Sequence, residues 1–313
     1  MKVLIMGSGA VGGYFGSVLY RDGHDVQFVA RGNHLDAISR DGLRVESVTS
    51  GNFTINPPVM ECLDGQKKAD LVLFCVKSYD NAEAIRTMEP AVGQNTVILT
   101  LQNGLGSGDE LARFFGGNGK VLLGVTYVDA VLKNPGVVAE LGGRCSIIFG
   151  DVTGNLTSNA TEVRDALCDA GIDVNLSSDV RKELWNKLIF ICALSGMTCI
   201  TRVPIGQVLS MPETLDLTWK VMLETEAVGR AHGVDLNPDI VEISMEILKG
   251  LGESGVSSMY MDLERGKRLE VAVINGAIHK LGNELHVETP MNSFINACLL
   301  VSHNRALNQY VRS

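Results

Sequence analysis

Nowhere in the 313-residue chain do lysines and arginines gather into a run, and 27 of them stand against 36 acidic residues, for a formal net charge of -9. A nucleic-acid surface needs clustered cations to replace the counterions of backbone phosphates, so no nucleic-acid partner is expected. Paired cysteines are missing as well. The seven cysteines are odd in number, lie mostly inside apolar stretches and form no CxxC pair. That pattern offers neither a disulfide framework nor a metal site, and reduced core cysteines in a cytoplasmic protein are expected. Beyond the first twenty residues no stretch approaches 18 uncharged apolar residues. LIFICALSGMTCI at 188–200 comes nearest and is too short to cross a bilayer, so no membrane partner is expected. The chain also lacks internal repeats, low-complexity segments and a flexible linker.

What is present begins at the N-terminus. MKVLIMGSGAVGGYFGSVLY has the lysine, apolar stretch and small residues of an export signal. Its glycines fall at Gly7, Gly9 and Gly12, however, and Arg21 and Asp22 end the run, so a first strand beginning at residue 2 is the better reading. Nearly continuous apolar runs predict further strands at 26–30, 71–76, 97–101 and 121–128, as expected when helices cover both faces of a parallel sheet. Helices fit between them near 11–20, 80–88 and 108–115. Two more strands are expected at 136–139 and 145–149, and a helix at 157–169. From about Leu176 the texture changes. No alternating strand pattern follows, and helical stretches near 216–232, 239–249, 258–281 and 291–307 are separated by Pro204, Pro212, Pro238 and Pro290. The expected fold is therefore α/β: an N-terminal Rossmann-type dinucleotide-binding domain over 1–175, then an all-helical C-terminal domain over 176–313. With 45% hydrophobic residues the chain can bury a core in each.

The turn Gly7-Ser8-Gly9-Ala10-Val11-Gly12 has the GxGxxG spacing, a weak signal alone. Here a strand precedes it, a helix follows, and GHDVQFVAR supplies the partner strand. Gly7 permits a tight turn, Gly9 clears space for a pyrophosphate, and Gly12 lets helix and sheet approach. A glycine-rich turn without a nucleotide is the plainer alternative. At the end of the second strand, where NAD sites usually carry an acidic residue for the ribose, this chain has Arg31. A guanidinium there suits a 2′-phosphate, so NADP(H) is the expected cofactor; Arg31 as an ordinary surface residue is the alternative. Lys77 and Asn103 end the third and fourth strands, at the sheet edge where ligands gather. Lys77 is placed to neutralise cofactor phosphate, and Asn103 to bond substrate and nicotinamide. In the helical half Lys187 stands within ELWNKLIF, and Glu270 within RGKRLEVAVINGAI, with Asn275 little more than a turn beyond. A lysine facing a carbonyl stabilises developing charge on oxygen and supplies its proton. By residue chemistry alone, a helix-surface lysine and an ordinary glutamate are the commoner reading.

Over essentially its whole length the chain resembles the ketopantoate reductase family, the 2-dehydropantoate 2-reductases. The segments that carry the resemblance are MGSGAVGGYFG, VAR at 29–31, VKSYD at 76–80, LQNGLG at 101–106, RKELWNKL at 181–188 and SSMYMDLERGKRLEVAVINGAI at 257–278. The resemblance implies NADPH-dependent reduction of a 2-keto acid, ketopantoate to pantoate on the route to pantothenate, in a cleft between the two domains. It implies Lys187 as proton donor to the ketone oxygen and Glu270 as its acidic partner. It also implies Ser258 as a contact of the substrate carboxylate, Asn103 as the asparagine after the fourth strand, Lys77 as the cleft lysine and Arg31 as reader of the phosphate. One departure stands out. Asparagines usual at the fourth and eighth positions after the lysine are here Ile191 and Ser195. With those amides gone, the pocket selects differently unless Ser195 and Ser258 supply the contacts. A reductase of a different 2-keto acid is thus one alternative, and an NADP(H)-binding regulatory protein without turnover is another. A homodimer is the commonest assembly for such a chain.

Overall fold

In the computed structural model, which describes residues 1–116, 120–155 and 157–312, the chain divides into two compact units. One comprises residues 1–102 and 106–180; the other comprises residues 181–313 together with Asn103–Leu105.

The first unit runs β1 (Lys2–Met6), α1 (Ala10–Arg21), β2 (Asp25–Val29), α2 (Gly32–Asp41), β3 (Leu43–Ser47), β4 (Phe53–Ile55), β5 (Val59–Met60), β6 (Leu71–Phe74), α3 (Asn81–Met88), β7 (Val97–Thr100), α4 (Ser107–Phe115), β8 (Val121–Tyr127), β9 (Ala130–Asn134), β10 (Val137–Glu140), β11 (Ser146–Gly150), α5 (Ser158–Asp169) and β12 (Asp173–Leu176). Among the described residues, eight strands form one sheet in the order β12-β11-β8-β7-β6-β1-β2-β5, parallel except where β11 meets β8. β1 pairs β2 on one side, Val3 opposite Val26, and β6 on the other, Val3 opposite Leu71. The chain leaves β1 in one direction and returns to its other flank, which opens a crevice at the carboxyl ends of these strands.

The apolar runs have a simple cause. Val3, Ile5, Leu71 and Leu73 belong to one core cluster, while Leu4, Met6, Val72 and Phe74 belong to another. Alternate residues serve opposite faces and both faces are covered, so nothing along these strands is left polar. A second, four-stranded sheet in the order β4-β3-β10-β9 was not foreseen as such, and α2 and β12 were also missed. Their residues alternate too briefly, and with too many exposed positions, to stand out in sequence.

The second unit is helical: α6 (Val180–Thr201), α7 (Ile205–Ser210), α8 (Pro212–Ala231), α9 (Ile240–Gly250), α10 (Ser258–Glu264), α11 (Asn275–Leu285) and α12 (Pro290–Arg312). α6 has 22 residues and is long and apolar enough to cross a membrane, so the shorter apolar stretch expected from sequence underestimates it. Two-thirds (67%) of its most apolar window is nevertheless buried inside the protein, and Trp185, Leu188, Ile189, Cys192 and Cys199 lie in the unit's core cluster. The helix also supplies Ile191, Ala193, Leu194 and Met197 to that cluster.

The expectation of one helix over 258–281 is corrected. Ser257 caps α10, its hydroxyl accepting from the Tyr260 N–H. The helix then ends at Arg265-Gly266, where Gly266 adopts φ 65°, a conformation that suits glycine. After this break comes a single 3-10 turn, Val271–Val273, and only then α11. Glu270 therefore stands at the start of that short turn rather than on the flank of a long helix.

Candidate active site

At the end of β1 the chain turns through Gly7, whose φ is 98°. A Cβ there would lie 2.8 Å from the Val76 nitrogen, and one on Gly12 would lie 2.2 Å from the Gly7 carbonyl oxygen and 2.9 Å from Ile5 Cγ2. Both positions exclude a side chain because the protein's own backbone is in the way. Gly9 differs. It precedes α1 and a Cβ there would meet nothing within 4 Å, so the space beside it is open. Ala10 and Val11 form the first turn of α1, and its unpaired N–H groups suit an anionic phosphate. Such an arrangement fits the pyrophosphate of a dinucleotide.

One residue of this turn, Ser8, is pinned twice from elsewhere in the first unit. The buried Ser8 hydroxyl donates to the Val29 carbonyl at 3.0 Å, and the Ser8 carbonyl oxygen is 2.7 Å from His34 Nε2. His34 Nδ1 accepts from the Gly136 N–H at 2.9 Å, so Nε2 carries the proton and donates to Ser8. Burial pushes the imidazole's pKa down, which keeps it in this neutral form. Sequence reading overlooked His34, because its second partner lies 102 residues away.

Arg31 follows β2 by two residues and is the N-cap of α2. Its Nη2 donates to Asp80 Oδ2 at 2.6 Å and its Nη1 to Glu83 Oε2 at 3.1 Å. Lys77 precedes the turn after β6, and Asp80 N–H donates to its carbonyl at 2.8 Å. A polar network missed in sequence closes this edge of the sheet: Gln102 Nε2 donates to the Val76 carbonyl and to Asn81 Oδ1, each at 2.7 Å.

In the second unit Lys187, on α6, donates from Nζ to Asn103 Oδ1 at 2.7 Å. The segment carrying Asn103 is held by backbone: Leu105 N–H donates to the Val273 carbonyl at 3.0 Å. Gly104, with φ 84°, lets that segment lie against Val273, where a Cβ would be 2.2 Å from the same carbonyl oxygen. Val273 closes the 3-10 turn that Glu270 opens. The pieces bearing Asn103 and Glu270 are therefore tied together, and Lys187 faces both. Burial pushes the lysine's pKa down to about 8, and the charge of Glu270 opposes that shift. Glu270 is itself buried.

The remaining candidates divide. Ser195, two turns beyond Lys187 on α6, is buried, as is Ile191 one turn beyond. Ser258 is the exposed first residue of α10, while its neighbour Ser257 is the buried one and is occupied in capping.

Comparison with known proteins decides what these features belong to. Residues 3–154 match the family model for ketopantoate reductase PanE/ApbA, and residues 179–301 match its C-terminal counterpart. The chain is 33% identical to a 2-dehydropantoate 2-reductase of Archaeoglobus fulgidus over 93% of this chain and 94% of that one. The chain belongs to the ketopantoate reductase family. It is an oxidoreductase, and its cofactor is a nicotinamide dinucleotide.

Solved structures agree. A PanE/ApbA family ketopantoate reductase from Ralstonia eutropha JMP134 superposes with a TM-score of 0.90 at 34% identity, covering 98% of this chain and all (100%) of that one. D-mandelate dehydrogenase, solved with NADH and anilino(oxo)acetate, shares the fold with a TM-score of 0.90 at 21% identity, over 98% of this chain and 99% of that one.

Proposed function

We propose that this reductase converts 2-dehydropantoate to pantoate with NADPH, Lys187 being the proton donor. The observation that carries this reading is Lys187 itself, hydrogen-bonded to Asn103, within the field of Glu270 and titrating near 8. The cofactor, when bound, supplies a hydride to the keto carbon; the rest is the work of this chain. The ammonium of Lys187 donates to the ketone oxygen and passes its proton as that oxygen gains charge, leaving a neutral amine. Asn103 accepts from Nζ and so aims the remaining N–H bonds. Glu270 keeps the ammonium charged against the desolvation that would discharge it. Ser195 and Ser258 are the side chains assigned to the substrate's hydroxyl and carboxylate. Gly7, Ser8, Gly9, Ala10, Val11 and Gly12 hold the pyrophosphate, Lys77 balances its charge and Arg31 receives the 2′-phosphate.

Ile191 favours one further reading, a different and more apolar 2-keto acid. A buried isoleucine offers no bond to a substrate hydroxyl, and a site built for that hydroxyl would discriminate through such a bond. Oxidation of NADPH against a panel of 2-keto acids tests both. Turnover greatest with 2-dehydropantoate supports the first reading, turnover greatest with branched or aromatic 2-keto acids supports the second, and no turnover with any of them removes both.

The lysine's pKa also predicts the pH dependence. In the direction of reduction Lys187 must be charged, so kcat falls as pH rises through about 8. Glu270→Gln removes the charge that raises this pKa, and the falling limb moves to lower pH. A limb that stays in place or moves upward would remove Glu270 from its assigned role. Stability follows with the opposite sign. Unfolded, the lysine keeps its proton up to about pH 10.4. Between about 8 and that value the unfolded chain binds more protons, so the contribution of Lys187 to stability rises with pH.

A further inference from the structure

The guanidinium of Arg31 is engaged by two carboxylates that the reaction does not use. Asp80 and Glu83 reach it at 2.6 and 3.1 Å from a turn 49 and 52 residues further along the chain. Acidic residues before and within the first turn of α3 suit that helix's N-terminus, and that alone would account for their presence. It does not account for both of them converging on one arginine beyond β1. The three side chains differ in exposure: 14% for Asp80, 47% for Arg31 and 63% for Glu83. Asp80 is therefore the less screened of the two acids.

The two side chains that hold Arg31 are both anions, and Lys77 stands three residues before Asp80. A 2′-phosphate carries close to two negative charges, and it pairs best with a guanidinium through two parallel N–H bonds. On Arg31 one N–H on each terminal nitrogen is already given to a carboxylate. The acids thus have two opposed effects. They hold the guanidinium in place, which helps any ligand it binds. They also repel a dianion brought to the same group. The first effect saves the rotamer freedom of one side chain. The second multiplies two carboxylate charges by nearly two phosphate charges at close range, and it dominates.

We propose that Asp80 and Glu83 are specificity residues for the cofactor, restraining through Arg31 the preference for the 2′-phosphorylated form, so that the enzyme retains useful affinity for the unphosphorylated one. The proposal rests on the reading that Arg31 receives the 2′-phosphate.

Calorimetric titration of the full-length protein with adenosine 2′,5′-bisphosphate and with 5′-AMP tests it without turnover. The quantity read is the ratio of the two affinities. At low salt Asp80→Asn raises that ratio about tenfold and Glu83→Gln about threefold. Both gains shrink toward nothing near 1 M salt, since the Debye length there is only about 3 Å. A role confined to positioning would lower the ratio and would not respond to salt in this way. Glu83 is exposed, so its variant keeps the fold even if loss of Asp80 weakens α3. An unchanged or lowered ratio in both acid variants, with Arg31→Ala bringing the ratio to about one, overturns the proposal and leaves Arg31 as the phosphate reader. A wild-type ratio in Arg31→Ala removes that reading, and the proposal with it.

Discussion

Replacing Lys187 with methionine is expected to lower kcat for 2-keto acid reduction about a thousandfold, with NADPH affinity changed less than about twofold. The first figure is what a positioned general acid contributes together with its electrostatic help to the developing alkoxide. The second follows from the proposed assignment of roles, in which the cofactor's phosphates are held by the glycine turn, Lys77 and Arg31 and not by Lys187. Methionine is one atom shorter and unbranched, and it removes the charge together with the N–H donors, the bond to Asn103 included. Stability at neutral pH is expected to hold or rise, because a desolvated ammonium with a depressed pKa is itself a cost to the folded state. A variant that loses both activity and melting temperature would mean that the bond to Asn103 holds the unit together rather than the proton in place. Stopped-flow reduction, a thermal scan and fluorescence titration of NADPH separate these outcomes.

A second large effect is expected from two substitutions three residues apart. Gly9→Ala should leave the melting temperature within about 2 °C of the wild type and weaken NADPH binding at least thirtyfold, roughly the cost of excluding one close backbone contact with a charged ligand. The protein has nothing within 4 Å of the new methyl group, so only a bound ligand can object to it. Gly12→Ala should lose both. Its methyl would stand 2.2 Å from the Gly7 oxygen and 3.0 Å from Cys75 Cβ, forcing α1 away from the sheet. Overpacking of this kind costs roughly 1–3 kcal/mol, or about 5 °C in a protein of this size. If Gly9→Ala binds NADPH as the wild type does, the open space before α1 is not where the pyrophosphate lies.

These two glycines show what could be read in advance. Spacing together with the flanking strand and helix placed Gly7, Gly9 and Gly12 in a turn and gave each a reason for lacking a side chain; at Gly7 and Gly12 the backbone stands where a Cβ would go, and at Gly9 the space is open. The central strands were legible for a related cause. A strand covered on both faces has no polar positions, and uninterrupted apolar runs such as 71–74 leave few alternatives. The second sheet was not legible. β3 and β10 are neighbours only because the chain returns after some 90 residues, and their registry has no local signature.

Glu270 shows the limit from the other side. Its neighbourhood reads as helix, and the break at Gly266 that turns it into a short 3-10 corner depends on packing around it. Asp80 and Glu83 likewise read as ordinary residues at a helix start until Arg31 is seen between them.

By itself, then, the sequence determined an α/β half that opens on a glycine turn, followed by a helical half. Apolar periodicity and glycine spacing are local properties, and local properties survive in one dimension. Tertiary structure alone decided that Lys187 meets Asn103 across 84 residues, that burial brings its proton within reach of neutral pH, and that Arg31 is shared with two carboxylates. Charge, solvent and hydrogen bonds act through space, and distance in space is what the order of residues does not record.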